Sequence, residues 1–84
     1  MIAQKIRTIL GKPSSEDRDR MTAVIQNLRN LRNGCRPGET IHSIPLVCVE
    51  VIQPPGGVLM FRISDRPDGR VIGTIMDDTI HYGA

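Results

Sequence analysis

Apolar residues recur at steps of three and one before residue 35 of this chain and close to every second position after residue 45. Met21, Val24, Ile25, Leu28 and Leu31 are separated by 3, 1, 3 and 3 residues, which places them on one stripe of a helix. Ser14 or Ser15 offers the hydroxyl that caps such a helix, and Glu16 and Asp17 suit its positive first turn. Arg29 and Arg32 complement the negative end, and Gly34 closes it. A helix of about five turns is predicted over residues 15–33.

Upstream, Ile2, Ala3, Ile6, Ile9 and Leu10 also share a helical face, and Gly11 followed by Pro13 supplies a stop. These residues predict a short first helix. A strand is the competing reading, because Ile2, Gln4, Ile6, Thr8 and Leu10 nearly alternate.

The second half predicts strands. Leu46 to Ile52 is rich in β-branched residues and apolar on both faces except at Glu50, and Pro45 marks its start. Pro54-Pro55-Gly56-Gly57 is a turn into a second strand, Val58 to Ser64. There Leu59, Phe61 and Ile63 share one face, while Met60, Arg62 and Ser64 share the other. Arg66-Pro67-Asp68-Gly69 reads as a tight hairpin before a third strand, Val71 to Met76. Asp77-Asp78 breaks it, and Thr79 to Tyr82 adds a short fourth. The expected class is α+β: two N-terminal helices, one short and one long, packed on a three- or four-stranded antiparallel meander.

Length and composition fit one compact domain over residues 1–84. Aromatic residues are only Phe61 and Tyr82, so the core must be built from Ile, Val, Leu and Met. A core this small is readily extended by a second copy, which makes a homodimer one expectation. No stretch approaches the roughly 20 apolar residues that cross a bilayer. Gln4, Lys5, Arg7 and Thr8 interrupt the apolar segment that a signal peptide would need. The expectations are a cytoplasmic location, reduced thiols and no membrane partner.

The sequence carries no pattern of catalytic groups. Cys35, His42, Cys48 and His81 are the right types for zinc, but their spacing matches no compact ligand pair. A nucleophile also needs a base oriented by a third group, and no such arrangement is announced for Cys35 or any serine. Asp77 and Asp78 read as a solvated turn. A non-enzymatic protein without metal or cofactor is expected.

Binding is the remaining class. Net charge is +2, divided as +4 over residues 1–40 and −2 over residues 41–84. Arg18, Arg29, Arg32 and Arg36 fall along the long helix and the loop after it, where a basic flank suits phosphates. A solvated flank that satisfies the helix dipole explains the same residues. The outer sheet face offers a different surface. If Leu59, Phe61 and Ile63 face the helix, Met60 and Arg62 point away from it, joined by Ile72 and Met76 or by Val71 and Ile75 from the third strand. Arg62, Arg66 and Arg70 lie around one hairpin and are the expected charged contacts, with Met60 and Ile72 the apolar ones. The expected function is docking on a protein and occluding its site; a small nucleic-acid-binding regulator is the alternative. In size and in lacking catalytic groups the chain resembles the small inhibitors carried by phages and mobile elements, anti-CRISPR proteins among them, a likeness of class that rests on no particular residue.

Overall fold

A computed structural model describes residues 6–31 and 35–83. It contains one helix and six strands: β1 (Thr8–Leu10), α1 (Ser15–Leu31), β2 (Thr40–Ile41), β3 (Val47–Ile52), β4 (Met60–Asp65), β5 (Val71–Met76) and β6 (Thr79–Tyr82). The strands form a single sheet in the order β1-β6-β5-β4-β3-β2. All neighbours are antiparallel except β1, which runs parallel to β6.

This architecture corrects the expected one. Two helices on a three- or four-stranded antiparallel meander are replaced by one helix on a six-stranded mixed sheet. The expected first helix is where the expectation fails: residues 1–5 lie outside the described residues, and Thr8–Leu10 is a strand. Its strand reading wins because β6 leaves a row of backbone groups to be paired. Thr8 aligns with Thr79, Ile9 with Ile80 and Leu10 with His81. The Asp78 carbonyl accepts hydrogen bonds from the Arg7 and Thr8 N–H groups at 2.9 and 3.2 Å, which anchors the start of β1. Gly11, read as a helix stop, instead ends β1 with φ +93°, and a Cβ there would lie 2.8 Å from the Tyr82 carbonyl oxygen. Strand β2 has no hydrophobic signature of its own and pairs with β3 through Thr40–Glu50 and Ile41–Val49.

The long helix forms over Ser15–Leu31, and residues 32–34 at the expected stop lie outside the described residues. Ser14 is its cap. The Ser14 hydroxyl oxygen accepts from the Asp17 N–H at 3.2 Å, and its carbonyl accepts the first helical bond from the Arg18 N–H at 3.0 Å. Met21, Val24 and Leu28 are fully buried against the sheet. They meet Val47, Val49 and Val51 of β3, Phe61 and Ile63 of β4, Ile72 and Ile75 of β5 and Ile80 of β6 in one core.

A helix is roughly 10 Å wide, whereas six strands spaced about 4.8 Å apart span roughly 24 Å. One helix therefore leaves both flanks of the inner face to other elements. On the β3 side, Ile41 and Ile44 fill the gap and are buried. Their segment is clamped by Arg66, whose Nη2 donates to the carbonyls of His42, Ile44 and Val47 at 2.6, 3.0 and 2.8 Å. On the opposite flank, an open groove remains between α1 and β1–β6. Among the described residues, no helix covers the outer face of the sheet.

Strand β5 departs from strict alternation. Ile63 pairs with Gly73 and Ser64 with Val71, so Ile72 is an extra residue at a bulge. Both Ile72 and Ile75 then face the core, at 1% and 3% exposure, while Val71, Thr74 and Met76 line the outer face. Neither period-two reading of the third strand, Ile72 with Met76 or Val71 with Ile75, survives this bulge.

Candidate docking surface

The outer face is ordered by the strand register. One row across it runs Thr40, Glu50, Arg62, Thr74, His81 and Leu10. A second, two residues along, runs Ile52, Met60, Met76, Thr79 and Thr8. Alternation alone positions these side chains, because the partners of each row lie on the helix side. Met60 and Ile52 are half-buried, while Met76 and Leu10 are 42% and 47% exposed. Arg62 Nε lies 3.4 Å from Glu50 Oε1, with both side chains nearly half exposed. A pair of this exposure contributes about 0–1 kcal/mol, so Arg62 can exchange Glu50 for another carboxylate at little cost. The surface combines flexible thioethers with an exchangeable guanidinium.

Of the five residues expected to form the surface, Met60 and Arg62 are on it. Ile72 lies in the core because of the β5 bulge. Arg66 is exposed, but its guanidinium is engaged in the three-carbonyl clamp. Arg70 turns to the helix, donating from Nη1 to Asp17 Oδ2 at 3.1 Å and from Nη2 to Asp17 Oδ1 at 2.9 Å. Its Nη2 is also 3.9 Å from Asp65 Oδ2, which takes a bond from Arg20 Nη1 at 3.2 Å. These contacts join the β4–β5 hairpin to the first turns of α1. The Arg70 hydrogen bonds hold the Asp17 carboxyl below its ordinary range, and the same bonds raise Arg70 further.

The alternative set of arginines is dispersed. Arg18 and Arg29 flank the groove beside α1, which has a volume of about 470 Å³ and an apolar wall of Ile6, Ile9, Ile25 and Ile80. Tyr82 closes one side; burial pushes its hydroxyl above the ordinary value while Arg18 pulls it back. Arg36 is exposed in the loop before β2, and Arg32 lies outside the described residues.

The sequence reading missed one contact. His42, just after β2, stands beside Cys48 of β3, with Cys48 Sγ 3.6 Å from His42 Nδ1. The alternation of Ile41 and Val49 inward puts both neighbours outward, but a strand as short as β2 gives no sequence signal. Cys35 is remote in character: burial pushes its thiol up, and the charge of Glu39 adds to the shift. Among the described residues, no group of three or more His, Cys, Asp or Glu side chains could hold a metal ion. Nor is any helix among them long and apolar enough to cross a membrane. Comparison of the chain with protein-family models, curated proteins and solved structures finds no match.

Proposed function

We propose that the chain is a small binding protein that docks on another protein through the outer face of its sheet and occludes the site it covers. The observation that supports this is the unshielded face itself, where Met60, Met76, Ile52 and Leu10 surround the half-exposed Arg62–Glu50 pair. Thioethers adapt to irregular apolar surfaces, and arginine is favoured at interface centres. The partner surface that fits is apolar with at least one carboxylate to take Arg62. An inhibitor of the kind carried by phages and mobile elements needs no more machinery than this.

The test compares Arg62→Glu and Met76→Asp with Arg18→Glu, using the purified chain as bait in lysate and duplex DNA and RNA as direct ligands. The expected result is a protein retained by the wild type and by Arg18→Glu but lost with either face variant. Equal retention by all variants counts against docking through this face. Tight DNA or RNA binding that weakens steeply with salt and is lost in Arg18→Glu would establish the nucleic-acid alternative instead.

A further inference from the structure

The Cys48–His42 pair is spaced for a thiol–imidazole hydrogen bond, and the same spacing suits two ligands of one metal ion. Zn–S and Zn–N bonds of about 2.3 and 2.0–2.1 Å, meeting at a tetrahedral angle, separate the two ligand atoms by about 3.5–3.6 Å. Cys48 Sγ and His42 Nδ1 are already 3.6 Å apart. Both residues are partly or fully exposed, and both stand on the outer face, where no other element of the described chain covers them. Cys48 is paired with Ser64 across β3–β4, and His42 directly follows the β2–β3 pairing, its carbonyl held by Arg66. Two soft ligands therefore sit on a rigid support at the bite of a tetrahedral metal.

One chain cannot complete the site. No third His, Cys, Asp or Glu joins the pair among the described residues. The remainder of the sequence, residues 1–5, 32–34 and 84, contains none of these types. A closed structural zinc site needs four ligands, and Cys2His2 is a standard set. A two-fold axis through the metal supplies the other two from an identical pair, because an isologous contact repeats every group. The face around the pair suits self-association: the nearest outward charges on β3 and β4 are Glu50 and Arg62, which balance, Asp65 being buried on the other side. Two copies therefore meet without net repulsion and with each carboxylate able to find a guanidinium.

We propose that Cys48 and His42 form half of a tetrahedral site for a zinc-like divalent cation, completed by Cys48 and His42 of a second copy of this chain. The metal ligands are not among the side chains proposed for docking, although the contact they centre reaches the Glu50–Arg62 pair of that face. Cys48 lies four residues from Ile52 along β3, roughly 13 Å, so a metal-centred contact occupies the opposite end of the face from Met60 and Met76. Metal binding displaces the thiol proton and the thiol–imidazole hydrogen bond together.

The experiment uses the full chain, metal-stripped, kept reduced with a phosphine and titrated with zinc alone, with bound metal and molar mass read together. The expected result is saturation at about one zinc per two chains and a doubling of mass, both reversed by a chelator. Cobalt in place of zinc should give the intense visible absorption of a tetrahedral thiolate site. Cys48→Ser and His42→Ala should each lose metal and dimer, while Cys35→Ser and His81→Ala keep both. Zinc bound at one per chain without a mass change overturns the proposal, as does zinc retained by both Cys48→Ser and His42→Ala, or no zinc retained by the wild type. Far-ultraviolet circular dichroism of each variant separates loss of the site from loss of the fold. Arg62 and Met76 are unaltered throughout, so failure here leaves the docking test standing, and failure there leaves this one standing.

Discussion

Arg70 grips Asp17 in a two-pronged ion pair across 53 residues of chain, fixing the β4–β5 hairpin to the first turn of the helix. The carboxylate is at once a helix-start residue, favourable beside the unpaired N–H groups, and the anchor of a distant loop. The Arg70 hydrogen bonds lower the Asp17 pKa in the folded chain. Because the folded value is the lower one, the stabilisation is fully present above the ordinary carboxylate range and is lost as pH falls through the folded value. Asp17→Asn should lower Tm at neutral pH. The gap between variant and wild type should close on acidification below pH ~4, as thermal melts across that range would show. A gap that persists unchanged at low pH would remove the ion pair as its cause.

Arg66 should matter to stability more than to binding. Replacing it by alanine strands the carbonyls of His42, Ile44 and Val47 and loosens the segment that buries Ile44. A loss of about 1–3 kcal/mol is expected in denaturant unfolding. The clamp also holds Leu46 at φ 70°, with the Leu46 carbonyl accepting from the Arg66 N–H at 3.0 Å. A left-handed non-glycine residue costs roughly 1–2 kcal/mol, while added chain freedom costs glycine about 0.5–1 kcal/mol. Leu46 is 54% exposed, so Leu46→Gly should be neutral or slightly stabilising.

Gly73 should not tolerate even alanine. A Cβ there would approach the His81 carbonyl oxygen to 2.7 Å, the Tyr82 Cα to 3.2 Å and the Met21 Cε to 3.0 Å. The methionine can move, but the β6 backbone cannot without disturbing its pairing. Gly73→Ala should therefore destabilise by about 1–3 kcal/mol, read as a shift of the denaturant midpoint at constant slope. An unchanged midpoint would mean that β6 yields freely.

Face variants should separate stability from function. Met76→Ser and Arg62→Gln alter exposed side chains, so unfolding should shift by no more than about 0.5 kcal/mol. Retention of a protein partner should nonetheless drop for both. Destabilisation well beyond that figure would show that the outer face contributes to the fold itself.

The strands from Val71 onward and the helix from Ser15 were legible because each repeats a pattern over four or more residues. The stripe Met21, Val24 and Leu28 is buried as its spacing requires, and Val71–Met76 and Thr79–Tyr82 form on either side of the Asp77-Asp78 break. Alternation put Met60 and Arg62 together on one face of β4, and the burial of Phe61 between them makes that face the outer one. Short elements were legible at most as an alternative: a strand ending at Leu10 was the second reading there, and Thr40–Ile41 was not read at all. Thr8–Leu10 and Thr40–Ile41 hold too few residues for one period to decide between helix and strand, and both owe their strand form to the edges that they complete.

Local pattern therefore determined the long helix from Ser15, the later strands and which residues of β4 share a face. Tertiary structure decided the sheet order, the parallel edge strand, the inward turn of Ile72 and the meeting of His42 with Cys48. It also decided that Arg66 and Arg70 serve the fold. The reason is one of range. Periodicity records how a residue relates to its own segment, whereas a bulge, an edge pairing or a guanidinium reaching three carbonyls depends on atoms brought together only when distant segments pack.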